Sequence, residues 1–144
     1  EIIGDLQVID FSRVTRILVA TLDRFSLVQQ MVLKVASVIG YHFELGTLVE
    51  VFPTGKTQKK FLKGELDVLV RLQILFLNCS LPGSEAYTFT NPSFLDVVLC
   101  RLTFDQRFEL HMKLAEWYEQ RRKENVAYLA YHWTEVVECT KNPP

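Results

Sequence analysis

The chain has 144 residues, of which 49% are hydrophobic and 12% aromatic, so it can bury a sizeable core as one compact unit or two very small ones. Its 16 basic and 17 acidic residues leave a formal net charge of -1, which excludes attraction of the whole molecule to nucleic acid or to an anionic membrane. No apolar run reaches the roughly 20 residues of a membrane helix, and the first residues lack the pattern of a secretory signal, so we expect neither a membrane span nor export.

The cysteines and the two ends of the chain bear on compartment and completeness. Cys79, Cys100 and Cys139 are odd in number and widely spaced, which fits neither a disulfide framework nor a metal site built on paired cysteines. They predict a reducing compartment, and we expect a cytoplasmic protein. The chain opens on Glu1 and closes on two prolines after Asn142, an ending typical of a linker. We therefore expect a segment of a larger protein.

The first third of the chain predicts two helices. In residues 14–23 apolar residues recur at helical spacing after a candidate cap at Ser12. Ser26 stands three residues before Gln29, the capping-box arrangement in which each side chain satisfies a free backbone N–H of the other residue. The helix that follows has a broad apolar face, and Gly40 can adopt the left-handed conformation that ends a helix. Because its polar face is thin, we expect this second helix to lie centrally.

The middle third predicts two more helices and then a β-hairpin. Residues 44–52 predict a short helix that ends at Pro53, and residues 54–73 carry apolar side chains at helical spacing after a basic first half. The period changes to that of strands in residues 74–79 and 86–90, which flank a Pro-Gly turn. Three helices followed by a hairpin are typical of a winged-helix domain, a variant of the helix-turn-helix plan.

The last third predicts three helices. Asn91 and Pro92 are typical of the start of one helix, and Asp105 can cap the next. That second helix has an apolar arc too wide for a single partner, so we expect it to pack on two sides. Asn125 can cap the final helix. The last two helices together are similar to the helical hairpin from which solenoids are stacked.

These elements predict a mainly α fold, in which a winged-helix domain with one β-hairpin is followed by an α-helical hairpin. The chain divides into three predicted segments: a leading helical segment at 1–23, a winged-helix-like domain at 24–91 and a helical segment at 92–144. A single helical hairpin is not yet a repeat array.

The strongest functional signal is a basic run at the start of the fourth predicted helix. Lys56, Lys59, Lys60 and Lys63 lie on the helix that would read DNA in a winged-helix protein, so they are candidate contacts to an anion or a nucleic acid. The predicted hairpin contains Glu85 but no lysine or arginine, whereas phosphate binding normally recruits many cations at once. A solvated helix face is therefore favoured, and DNA binding is the alternative.

No nucleotide, catalytic or metal site is predicted. Lys56 follows Gly55 as in a phosphate-binding loop, but that loop requires glycine where the chain has Glu50. No histidine has a second ligand at metal spacing, so packing or surface positions are favoured over zinc for His42, His111 and His132. Each cysteine is interpreted as a small buried hydrophobe. Two carboxylate pairs are assigned to solvated helix faces: Glu65 with Asp67, and Glu116 with Glu119.

Two stretches carry a family pattern. In the first, LDRFS at residues 22–26 is followed by Gln30, Val32, Leu33, Ala36, Ile39, Gly40 and Phe43. In the second, the matching positions are Tyr87, Thr88, Phe89, Val97, Arg107, Leu110, His111, Ala115, Glu116, Leu129, Ala130, His132 and Trp133. Their order and spacing resemble the region after the ATPase module in large multidomain signalling ATPases, the class that includes soluble adenylate cyclases and ATPase-type transcription regulators.

The resemblance implies a winged-helix module that leads into a tetratricopeptide-like solenoid and relays the state of the ATPase module. The metal aspartates of the cyclase and the phosphate loop of the ATPase have no counterpart in this chain. ATP and magnesium would therefore bind other segments of the parent, and we expect no cofactor here. Asn91 and Pro92 stand where relatives often have histidine, so no contact is carried over at that place.

The function expected from this resemblance is that of a noncatalytic regulatory and interaction module. Its partners would be other domains of the same chain or another protein, and a soluble adenylate cyclase-like parent would convert ATP to cyclic AMP. For such a parent the expected cytoplasmic location extends to a cilium or flagellum. The alternative is a winged-helix DNA-binding module of an ATPase-type regulator, which would use the lysines of the fourth helix.

Overall fold

The structure is a computed structural model that describes the backbone of residues 2–53, 59–79, 85–121 and 126–141, and the side chains of 13–53, 59–78, 85–120 and 130–138. Within these ranges the fold is mainly helical with one small antiparallel sheet. The elements in chain order are α1 (Ile2–Arg24), α2 (Leu27–Ile39), β1 (His42–Glu44), α3 (Leu45–Val51), α4 (Lys59–Arg71), β2 (Leu75–Cys79), β3 (Ala86–Phe89), α5 (Pro92–Cys100), α6 (Phe104–Arg121) and α7 (Val126–Lys141).

The predicted start of α1 is wrong, whereas the predicted start of α2 is confirmed. Helix α1 begins at Ile2, so Ser12 lies inside the helix and does not cap it. The helical spacing of apolar residues extends back to Ile2, and a helix continues as long as nothing in the sequence stops it. At α2 the Ser26 Oγ accepts from the backbone N–H of Gln29, and the Gln29 side chain accepts from that of Ser26, both at 3.1 Å. This capping box satisfies two free donors.

Helix α2 ends at glycine as predicted, but not in the predicted conformation. Gly40 has φ 149° and ψ 176°, a region that side-chain-bearing residues rarely adopt and that differs from the left-handed helical one. Its backbone N–H still donates to the carbonyl of Ala36. The chain therefore leaves the helix extended and enters β1 directly.

The sheet has three strands in the order β1-β3-β2, whereas the sequence predicted one hairpin. Strands β2 and β3 are that hairpin; its predicted Pro-Gly turn lies outside the described residues. Strand β1 was missed because three residues are too short to show an alternating pattern, and it exists by pairing with β3, His42 opposite Thr88. The Thr88 hydroxyl also joins the strands through close hydrogen bonds to the side chains of His42 and Asn78.

Helix α4 ends in a Schellman motif, in which two backbone N–H groups beyond the helix bond back to its last carbonyls. Gln73 donates to the carbonyl of Val70, and Ile74 donates to that of Leu69. Gln73 has φ 62°, the left-handed conformation that a side chain disfavours. The Thr90 hydroxyl donates to the Gln73 carbonyl at 2.8 Å, which ties this turn to the end of β3.

The caps of the last helices agree with the sequence at one place and differ at another. The Asn91 side chain accepts from the backbone N–H of Ser93 at 2.9 Å, so the predicted start of α5 is confirmed. The predicted cap of α6 is wrong, because the reciprocal bonds join Thr103 and Gln106, both at 3.1 Å, and Asp105 lies in the first turn. Threonine followed three residues later by glutamine is itself a capping-box pattern. The predicted cap of α7, Asn125, lies outside the described residues.

One buried cluster contains side chains from α1 through α6 and from the sheet. Helix α2 lies at its centre, as its thin polar face predicted, and its residues from Val32 to Ile39 are buried except Lys34. Helix α6 contacts α2 and α3 on one side and α7 on the other, so its two-sided packing is also confirmed. The division into segments 1–23, 24–91 and 92–144 stays a prediction.

Candidate functional site

Three of the four predicted basic residues lie along the exposed side of α4. Lys56 is outside the described residues. Lys59 is exposed, and its Nζ lies 3.4 Å from the Oε2 of Glu85, a buried carboxylate that immediately precedes β3. Lys60 and Lys63 are exposed. One of the three described lysines is therefore held against the protein's own carboxylate, and two face solvent.

The exposed stripe of α4 carries mixed charge. Lys60, Lys63, Gly64, Asp67 and Arg71 are all exposed, and each lies three or four positions from another member of the set. A Cβ added at Gly64 would meet no atom within 4 Å, so the helix backbone is accessible at the middle of this stripe. Three cations and one carboxylate give a weakly positive surface that is far less basic than a typical phosphate-binding face.

Beside this stripe lies an apolar set at the ends of α4 and on β2. Phe61 and Leu72 of the α4 region are exposed, and so are Phe76 and Leu77 of β2, with 59% and 42% of their surface accessible. We call these four residues the α4–β2 apolar set. Large exposed apolar residues are normal one at a time. Phe76 and Leu77 are consecutive in a strand and therefore lie on opposite faces of the sheet, so the set exposes apolar surface on two sides.

The inner side of the same region holds a buried tyrosine beside carboxylates. Tyr87 is fully buried and stacks on Phe43, with ring centroids 5.6 Å apart. Burial raises the pKa of Tyr87 to about 12, and the negative charges of Asp67 and Glu85 act in the same direction. The phenol is therefore neutral at any physiological pH, and it packs in the core.

The structure brings together two histidines that the sequence left apart. His111 of α6 and His132 of α7 are 2% and 0% exposed, and their Nδ1 atoms are 2.9 Å apart, so one imidazole donates to the other. Tyr118 stacks on His132, and Tyr131 contacts both imidazoles edge-on. No local pattern signals this pair, because its two members lie 21 positions apart on different helices.

The environment of this histidine pair favours the neutral forms. The pKa of His111 is lowered to about 3, mainly by burial and to a smaller extent by positive charge on His132 and Arg107. Burial alone lowers the pKa of His132 to about 4. The pair is therefore neutral near pH 7, and its hydrogen bond links α6 to α7.

Two shallow grooves lie between helices. One, of about 270 Å³, separates α1 from α5 and is lined by residues that include Val19, Val97 and Cys100. The other, of about 200 Å³, lies between α2 and α6 and is lined by Met31, Leu110 and their neighbours.

Cys100 is exposed, so its interpretation as a buried hydrophobe is wrong. The side chains of the other two cysteines, Cys79 and Cys139, lie outside the described set.

Within the described ranges, no three side chains of histidine, cysteine, aspartate or glutamate come close enough together to hold a metal ion. In the same ranges no helix is both long enough and apolar enough to cross a membrane. A comparison of the chain with protein-family models, with curated proteins and with solved structures found no match.

Proposed function

We propose that this chain is a noncatalytic interaction and regulatory module of a larger signalling ATPase, with a soluble adenylate cyclase-like protein as the favoured parent. In this proposal ATP, magnesium and the formation of cyclic AMP belong to other segments of the parent. The chain contacts those segments or a partner protein and relays the state of the ATPase module. We place such a protein in the cytoplasm, including a cilium or flagellum.

The order of elements supports a winged-helix assignment within this proposal. The elements of this part follow in the order α2, β1, α3, α4, β2, β3, and in the sheet β1 and β2 flank β3. This is the order of a helix-turn-helix core followed by a wing. Helices α6 and α7 pack as a helical hairpin and would be the first unit of a tetratricopeptide-like solenoid.

One observation carries the interaction role: large apolar side chains are exposed in three separate parts of the fold. The first group lies on α1 and the start of α2, where Leu27 is 83% exposed and Ile17 58%. The second is the α4–β2 apolar set. The third lies on α7 and includes Tyr131. Because exposed apolar surface is unfavourable in water, several such groups on one small module indicate contacts with neighbours on more than one side.

The test uses a protein that carries this chain together with its ATPase module. Leu27→Lys, Leu72→Lys and, on α7, Val137→Lys each place a charge in one apolar group at an exposed position, where such changes alter the free energy of unfolding by only about 0.5 kcal/mol. We expect at least one variant to change the ATP turnover or cyclic AMP output severalfold. Gln120→Lys, which adds the same charge at an exposed position of α6 outside the three groups, is the matched control. Unchanged rates in all three variants would contradict a regulatory contact.

A second candidate is DNA binding through α4, which the exposure of Lys60, Lys63 and Arg71 on one face favours. A titration of labelled duplex DNA at several salt concentrations separates the two functions. If the module acts by protein contacts, we expect it to bind DNA weakly and with the same affinity for any DNA sequence. A log-log salt slope of about -3 or steeper, lost in the Lys60→Glu, Lys63→Glu double variant, would replace the interaction role with DNA binding.

A further inference from the structure

The two edges of the sheet differ in length and exposure. Because the strand order is β1-β3-β2, strands β1 and β2 are the edges. Strand β1 has three residues and continues at once into α3. Strand β2 is longer, Leu75–Cys79, and in the described part of the chain no strand lies beyond it. One side of β2 is therefore an open edge.

The hydrogen bonds of β3 determine which backbone groups of β2 face outward. The Phe89 N–H donates to Tyr41, on the β1 side, and the Thr90 N–H donates to Ile74, on the β2 side. Neighbouring residues of an antiparallel strand point their backbone groups in opposite directions. Thr88 therefore faces β2, where its partner is Phe76. The backbone groups of Phe76 point inward to β3.

By the same alternation, the backbone groups of Leu75 and Leu77 point outward, away from β3. Two donors and two acceptors are thus presented along the open edge, symmetrically on either side of Phe76. The regular edge ends there, because the register shifts between Leu77 and Cys79.

This part of the edge lacks the usual protection. Monomeric proteins place lysine, proline or inward-pointing charges on exposed edge strands to prevent pairing with another chain. Residues Leu75, Phe76 and Leu77 include none of these, and Phe76 is 59% exposed on the outer face of the sheet. An uncharged aromatic strand whose outward backbone groups bond to no other strand among the described residues is a template for another strand.

We propose that β2 pairs with β2 of a second copy of this chain, antiparallel, about a two-fold axis at Phe76. In this register Leu75 of each copy lies opposite Leu77 of the other, and each such pair exchanges two backbone hydrogen bonds. The two Phe76 residues lie directly opposite each other as a non-hydrogen-bonded pair, whose side chains approach closely. The two sheets become one sheet of six strands.

The chemistry of the strand selects a second copy as the occupant. The outward-facing residues are arranged symmetrically about Phe76, so the edge is complementary to itself, as a two-fold interface requires. No charged residue lies in β2, so the pairing places no like charges opposite each other. The contact covers few residues and falls below the roughly 800 Å² per partner of a stable complex, so the dimer is weak and forms only at high concentration. This inference goes beyond the proposed function and does not depend on it.

The test is the mass of the isolated 144-residue chain in analytical ultracentrifugation, from about 10 µM to about 500 µM. We expect the average mass to rise from monomer towards dimer. Phe76→Lys places two positive charges at the axis and is expected to weaken the dimer at least about tenfold. Ile17→Lys changes an equally exposed apolar residue on α1 and is expected to leave the dimer unchanged.

Hydrogen exchange reports the register independently of the variants. The amide of residue 76 bonds to β3, so we expect it to be protected from exchange at every concentration. In Phe76→Lys, protection of this same amide shows that the variant is folded. The amides of Leu75 and Leu77 are expected to gain protection only as the dimer forms. A monomer throughout the concentration range, or a dimer in which these two amides stay unprotected, would overturn the proposal. Loss of the dimer in Ile17→Lys as well as in Phe76→Lys would also overturn it.

Discussion

The buried histidine pair makes the free energy of unfolding fall with acid, well above the pH at which carboxylates titrate. His111 and His132 have folded pKa values of about 3 and about 4, against about 6.5 in an unfolded chain. Below pH 6.5 the unfolded state therefore binds protons that the folded state does not. The pair opposes folding increasingly as the pH falls towards the folded pKa values, and it has no effect above about pH 7.

The size of the expected loss in the free energy of unfolding follows from the folded and unfolded pKa values of the two histidines. At pH 5.5, one unit below the unfolded pKa, each imidazole lowers the free energy of unfolding by roughly 1 to 2 kcal/mol, which gives about 3 kcal/mol for the pair. Both side chains are almost completely buried, so solvent screens this effect little. Since single domains are stable by about 5 to 15 kcal/mol, the loss is a large fraction of the total.

Urea unfolding at pH 7.5 and pH 5.5 measures this loss. The His111→Leu, His132→Leu double variant removes both partners of the hydrogen bond together, so no buried donor is left unsatisfied, and we expect it to lose most of the pH dependence. The control is His42→Gln, which removes the one exposed histidine and should keep the loss. Equal pH dependence in the wild type and the double variant would show that the histidine pair is not the source of the acid sensitivity.

Three further changes test the local structure by urea unfolding. Gln73→Gly removes the strain of φ 62° at the end of α4 and should stabilise the protein by about 1 kcal/mol, whereas Gln73→Ala, which keeps a Cβ, should give no such gain. Ser26→Ala removes the capping box of α2 and should cost about 1 kcal/mol, with Ser26→Asp close to the wild type; equal losses in both would exclude a capping effect. Leu66→Ala, at a fully buried position of α4, should cost about 2 to 5 kcal/mol, and Phe61→Ala on its exposed side much less, so similar costs would mean that α4 packs differently.

Among the candidate site residues, the sequence located the lysines of α4 but not their surroundings. Helical spacing placed Lys60 and Lys63 on a solvated face, and the structure agrees. That Lys59 pairs with Glu85 depends on how the end of the hairpin packs against α4, and no spacing rule contains that information. The sequence also predicted that the exposed apolar residues of β2 lie in a strand. It could not predict that this strand is at the edge of the sheet, because that depends on the order of the strands.

The sequence alone determined the features that arise between near neighbours. The amphipathic period of α2, the capping box at Ser26, the cap at Asn91 and the alternation of the β2–β3 hairpin are set by residues a few positions apart, so they can be recognised without knowing the fold. The central position of α2 could also be predicted, because a helix with almost no polar face must be covered on several sides.

Features that join distant segments depend on tertiary packing. Strand β1 is too short to show a period and exists because β3 offers it a pairing edge. Gln73 takes a conformation that its own side chain disfavours, since the Schellman bonds and the Thr90 hydroxyl hold the turn in place. His111 meets His132 because α6 and α7 pack together, which brings two imidazoles from one helical hairpin into one dry site. The pairing of β1 with β3, the hydrogen bond from Thr90 to Gln73 and the contact between the two imidazoles each join residues far apart in the sequence, so no local pattern records them.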